Sequence, residues 1–313
     1  MISRRDLLVG AGASAAASLL AGCGARGEPG LLRLGFMTNL THAPVLAGYA
    51  SGRLARALAP VRIEGRAFRA GPRVVEALLG RSIDVGSTGP AAVVLTQARH
   101  GDGTFRVLSG VCSGGASLVA LRGVRDAGDL RGKLVAVPQL GSTQDISLRV
   151  WLRENGAEDV RVTAMSSANI LGEMRRGEIA AAWLPEPWAT RAVHEVPADR
   201  VLDERERWPN GAFSTSLVAA RRDFADERAA DVARLVAAIA DEIERARAEP
   251  AATRGEAHAA IRSLTGNAGP RALFDEAWER VDFTRDPLKE AIATFSRDAR
   301  TLGIVPRVPN VFA

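Results

Sequence analysis

The sequence predicts an α/β protein built as two lobes, each a mainly parallel sheet flanked by helices, and three observations carry that expectation. Short apolar segments alternate with helical segments of about ten residues between positions 31 and 183, the pattern of parallel strands covered on both faces. The alternation runs as two series, the second beginning near residue 118. Beyond position 224 the spacing turns helical over 224–248 and most of 251–302, with little strand signal.

The elements follow in order. Residues 31–36 read as a buried first strand, followed by a loop at 37–44 and an apolar helix from 45. Residues 61–64 alternate apolar and polar as a strand does, and 72–79 form a helix with Pro72 near its start and Gly80 after its end. Residues 83–86 are the next strand. Ser87-Thr88-Gly89-Pro90 then turns into another helix, and 105–109 is strand-like. The second series places strands at 118–121, 134–137, 160–162 and 180–183, with helices at 142–154 and 170–176.

The beginning of the chain reads as an address. Ser3-Arg4-Arg5-Asp6-Leu7-Leu8 opens a short apolar stretch that closes on Leu20-Ala21-Gly22-Cys23, the form of a twin-arginine export signal with lipoprotein cleavage before Cys23. Residues 1–22 are then a signal peptide and 23–30 a tether. The stretch is about 15 residues long, short of the ~20 that span a bilayer. With lipid on Cys23, Cys112 has no disulfide partner and reads as a small buried hydrophobe.

Composition excludes several functions. The 41 basic residues are interspersed with 36 acidic ones, and the net charge of +5 drops to +4 without the signal. That mild balance, with one tyrosine in the chain, lacks the basic stripe of a nucleic-acid binder, though it favours small anions. His42, His100, His194 and His258 stand apart with no metal-ligand spacing, and no nucleophile elbow, phosphate loop or dinucleotide fingerprint occurs. No metal, cofactor or catalytic motif is therefore expected.

Three hydroxyl- and glycine-rich turns stand at strand ends: Ser87-Thr88-Gly89, Ser113-Gly114-Gly115 and Gly141-Ser142-Thr143-Gln144-Asp145. Free amides at a helix start, with the Ser142 and Thr143 hydroxyls, make an anion cradle. The Ser142-x-x-Asp145 spacing equally suits a capping box that satisfies those amides internally. Trp183-Leu184-Pro185-Glu186-Pro187-Trp188 is a proline-stiffened turn with two indoles and a carboxylate, fit for a binding wall or for a packed corner.

These segments, with Asn39-Leu40-Thr41-His42-Ala43-Pro44, Ala70-Gly71-Pro72, Ile83-Asp84-Val85-Gly86, Asp129-Leu130-Arg131-Gly132-Lys133, Asp203-Glu204-Arg205 and Phe283-Thr284-Arg285-Asp286-Pro287-Leu288, resemble the solute-binding lipoproteins of bacterial ABC importers. The resemblance is to the family that serves nitrate, taurine, aliphatic sulfonates and thiamine precursors. It implies a type II periplasmic-binding-protein fold with two hinge crossovers, near 111–117 and 211–217. Lobe one is then 31–113 plus 215–313, and lobe two 114–214. It implies a monomeric binder and not an enzyme, exported and lipid-anchored on the periplasmic or outer face of the membrane. There it would deliver a small anion to an ABC permease and its ATPase.

The ligand-binding residues so implied are Asn39, Thr41, His42, Thr88, Ser113, Gly114, Ser142, Thr143, Gln144, Glu186 and Trp188. Ser142, Thr143 and Gln144, helped by Thr88 and Ser113, would hold the anionic head. His42 and Trp188 would wall its organic part. Glu186 would pair with a ligand ammonium or brace its turn. An aliphatic sulfonate is the expected ligand, with taurine, nitrate or a pyrimidine precursor as alternatives. The rival is an enzyme on the same fold using His42 with Glu186.

Overall fold

The computed structural model describes residues 30–312, so the signal, Cys23 and all of the tether except Gly30 lie outside the described residues. The first series comprises β1 (Leu31–Met37), α1 (Ala43–Ala50), α2 (Arg53–Leu58), β2 (Arg62–Phe68), α3 (Gly71–Leu79), β3 (Val85–Thr88), α4 (Pro90–His100) and β4 (Phe105–Gly114). The second comprises β5 (Ala116–Leu121), β6 (Leu134–Val137), α5 (Thr143–Glu154), β7 (Arg161–Ala164), α6 (Ser167–Arg176), β8 (Ala181–Pro185), α7 (Trp188–Glu195) and β9 (Ala198–Asp203). The chain then returns through β10 (Ser214–Arg221), α8 (Arg222–Glu227), α9 (Ala229–Ala248), α10 (Pro250–Thr265), α11 (Arg271–Trp278), β11 (Val281–Phe283) and α12 (Lys289–Thr301).

Two sheets result, ordered β11-β4-β10-β3-β1-β2 and β7-β6-β8-β5-β9. β1 pairs in parallel with β2 and β3, and β6 with β7 and β8. β10, β11 and β5 run against their neighbours. Both faces of each sheet are covered. One core cluster packs β1 and β10 under α1, α9 and α10, and another packs α3, α4 and α12 on the opposite face. The second sheet divides its core the same way between α5 and α6 with α7.

Three strands were not anticipated: β9, β10 and β11. β10 matters most, because all eight of its residues are buried between β3 and β4, which leaves no apolar-polar alternation to mark a strand. Two boundaries also move. β3 runs to Thr88 and β4 to Gly114, so Thr88, Ser113 and Gly114 belong to strands and not to turns.

The chain passes from the first sheet to the second at Gly114–Gly115, both with φ of +71°. It returns through two short 3-10 turns, Glu204–Arg207 and Pro209–Gly211. Glu204, fully buried, ties this return to the second lobe: its carboxylate accepts from Ser147 Oγ (2.6 Å) on α5, from the Trp183 indole on β8 and from the Trp208 indole (3.4 Å). Burial pushes its pKa up to about 7 against those donors and the nearby Arg207. Ile146 of α5 packs in the same cluster as Trp208 and Phe213, so α5 spans the junction.

At the first crossover Gly115 meets two demands. Its φ suits glycine, and a Cβ there would lie 2.5 Å from Val281 Cγ1. Gly115→Ala is therefore expected to cost about 2 kcal/mol, within the usual range for such strain, read as a lower urea midpoint with unchanged slope. An unaltered midpoint would show that the crossover accepts a side chain.

Candidate functional site

Six strands, β1, β2, β3, β6, β7 and β8, are each followed by a helix that starts at the strand's carboxyl end, and all six starts open onto one cleft between the sheets. The cleft encloses about 340 Å³. Its walls include His42 before α1, Ala70 and Gly71 at α3, Gly89 at α4, Ser142 to Gln144 at α5, Ser166 and Ser167 at α6, and Pro187 and Trp188 at α7. Each start carries a partial charge of roughly +0.5. The carboxyl end of α10 enters too, through Thr265, but Thr265 Oγ1 donates to the Ile261 and Asn267 carbonyls and covers part of that end.

The anion cradle and the capping box coexist at α5. Ser142 Oγ accepts only the Asp145 N–H (3.3 Å), and Asp145 turns back to the Gly141 N–H (2.8 Å) and to Arg149. The N–H groups of Thr143 and Gln144 take no partner among the described residues. α6 repeats the arrangement, with Ser166 Oγ on Asn169 N–H and the two intervening amides open.

The first loop is locked from below. Asn39 Oδ1 accepts both the N–H (3.1 Å) and the hydroxyl (2.7 Å) of Thr41, and Ser216 on β10 donates to the Thr41 carbonyl at 2.6 Å. His42 is 1% exposed, with Nδ1 2.7 Å from Ser87 Oγ, and burial lowers its pKa to about 3. It is a neutral wall at any physiological pH.

Seven of the expected residues line the cleft: Asn39, Thr41, His42, Ser142, Thr143, Gln144 and Trp188. Four do not. Thr88 Oγ1 donates to the Gly71 carbonyl (3.4 Å), Ser113 Oγ accepts from Phe213 N–H (3.2 Å), and the Gly114 carbonyl accepts from Thr215. Glu186 has no exposure: Oε1 accepts from Arg200 Nη2 (3.0 Å) and Oε2 from Thr190 N–H (3.0 Å). It braces the start of α7 from behind, and burial raises its pKa against the pull of Arg200. His42 and Glu186 thus hold separate partners and form no acid-base pair. Among the described residues no cluster of three could hold a metal ion.

Sequence reasoning missed Arg69, Arg191 and the α10–α11 segment. Arg191 forks onto Glu195 (2.6 and 3.1 Å) and lies 4.4 Å above the Trp188 ring. In sequence that pair is an ordinary i,i+4 surface bridge. Ile261, Thr265, Asn267 and Ala268 reach the cleft from the returning segment, where helical spacing alone marks no site. The lobes also meet where His194 Nε2 on α7 is 2.7 Å from Glu276 Oε2 on α11.

The model of the NMT1-like family matches residues 25–262. A Brucella abortus protein carrying only a general binding-protein description is 28% identical over 179 residues, 56% of this chain and 54% of that one. The taurine-binding periplasmic protein of Escherichia coli is 26% identical over 171 residues, 53% of this chain and 51% of its own length. The chain thus spans about half the length of the curated relatives it matches. The alkanesulfonate-binding protein SsuA from Xanthomonas axonopodis pv. citri, solved bound to MOPS, superposes with a TM-score of 0.75 at 19% identity, over 91% of this chain and 98% of that one. At that identity the likeness shows the fold.

The depressed His42 pKa has a stability consequence. Between pH 6.5 and about 3 the unfolded chain takes up a proton that folded His42 refuses, so stability is full above 6.5 and falls as pH drops through that window. Urea unfolding should show His42→Gln losing about 2 kcal/mol less than wild type between pH 7 and pH 5. Equal losses would contradict a neutral, buried His42.

Proposed function

Because the chain belongs to the NMT1-like family, we propose that it is the extracytoplasmic solute-binding component of an ABC importer, taking a small organic anion of which an aliphatic sulfonate is the favoured class. The observation that carries this reading is the convergence of six helix starts, with open amides at α5 and α6, on a cleft in whose walls the described residues place no carboxylate.

Size and surface narrow the ligand. A water molecule's share of liquid is about 30 Å³, so 340 Å³ is far more than an inorganic ion such as nitrate fills. Met37, Phe68, Pro72, Pro138 and Trp188 supply an apolar wall that an organic body would dry. The head group would accept from the Thr143 and Gln144 N–H groups, while the tail lies along Trp188. Contacts from both lobes to one ligand would hold the lobes together, and Gly89 of one lobe already approaches Thr143 of the other so nearly that a Cβ would sit 2.9 Å from Thr143 Oγ1.

In this reading the signal exports the chain, Cys23 carries lipid, and a monomer presents the closed form to a permease with its ATPase. No chemical step on the ligand is involved.

Thr143 is the first residue of α5, where proline is tolerated, and Ser142 already has the extended ψ of 168° that precedes proline readily. Thr143→Pro removes the amide donor along with the hydroxyl, whereas Thr143→Ala removes the hydroxyl alone. Calorimetric titration with butanesulfonate should show Thr143→Pro binding at least tenfold more weakly than Thr143→Ala, with matched melting temperatures of the free variants. Equal affinities would take the anion away from the α5 start.

A further inference from the structure

We propose that the cleft selects ligands whose only charge is negative and rejects zwitterions, so that an ammonium group on the ligand, as in taurine, is a liability. The proposal rests on the anion-binding reading above and specifies its ligand class.

Among the described residues, the charged side chains in the walls are Arg69 and Arg191, and no aspartate or glutamate joins them. Arg69 is exposed and has no partner among the described residues. The carboxylates behind the walls are committed. Glu186 is fully buried with both oxygens engaged, and Glu195 is clasped by Arg191 through both oxygens and approached by Arg175 at 3.8 Å. Neither has an oxygen free to turn toward a ligand cation.

The neutral acceptors are also partly spent. Asn39 Oδ1 already takes two donors from Thr41, and Asn267 Oδ1 takes the Gly269 N–H at 2.7 Å. An ammonium entering here would shed water with no free countercharge, beside the open amides of α5 and α6 and the unpaired guanidinium of Arg69, while the carboxylates of Asp145, Glu186 and Glu195 are held by their own donors. A hydroxyl of the same size keeps the shape and loses the charge. It needs one neutral acceptor only.

The test compares isosteres on the full chain by calorimetric titration at pH 7: ethanesulfonate, 2-hydroxyethanesulfonate and taurine, then propanesulfonate and 3-aminopropanesulfonate. Each ammonium-bearing member is expected to bind at least tenfold more weakly than its uncharged counterpart, and the gap is expected to close as alkaline pH removes the ammonium proton. Taurine binding as tightly as 2-hydroxyethanesulfonate would overturn the proposal while leaving the anion-binding reading intact. A penalty that survives deprotonation would overturn it as well, because shape and not charge would then be the cause. Failure of every sulfonate to bind would overturn the anion reading itself, and this proposal with it.

Discussion

Six helices begin where six parallel strands end, and the remaining features of the site depend on that constraint. A strand that pairs in parallel with the next must be followed by a crossover, and the crossover helix starts at the strand's carboxyl edge, where α5 and α6 each keep two amides without a partner among the described residues. Facing two such edges across a gap gathers those amides in one place. The open amides thus favour an anion before any side chain is counted, and Arg69 in the wall reinforces that sign, while among the described residues no carboxylate lines the cleft.

The strands that do not serve the cleft serve its geometry. β4 and β5 carry the first crossover through Gly114 and Gly115, and β9 and β10 carry the second. Glu204 gathers donors from α5, β8 and the return segment onto one buried carboxylate, which ties α5 to the junction through Ser147. β10 also braces the first loop through Ser216.

Legibility in the sequence followed the range of each interaction. β6 and the Ser142 cap of α5 were readable because apolar runs and S-x-x-D spacing are local signals, and the split role of that box, cap and open amides together, was visible as two alternatives. β10 was not readable, since a strand buried on both faces carries no alternation and its antiparallel direction is set by the return crossover. Thr88 and Ser113 were misplaced because β3 and β4 run two and five residues past the expected strand ends, enough to turn their hydroxyls to backbone partners and away from the gap. Glu186 lay between proline residues that suggested presentation, and only Arg200, fourteen residues on, explains its burial. Arg191 and Asn267 reach the cleft by tertiary packing that no local pattern encodes.

The most direct measurement is a crystal structure of the full chain with butanesulfonate. The account predicts sulfonate oxygens about 2.7–3.2 Å from the backbone nitrogens of Thr143 and Gln144, within hydrogen-bond range, with the butyl chain against Trp188. A sulfonate held only by arginine side chains, or seated outside the gap between the two sheets, would contradict it.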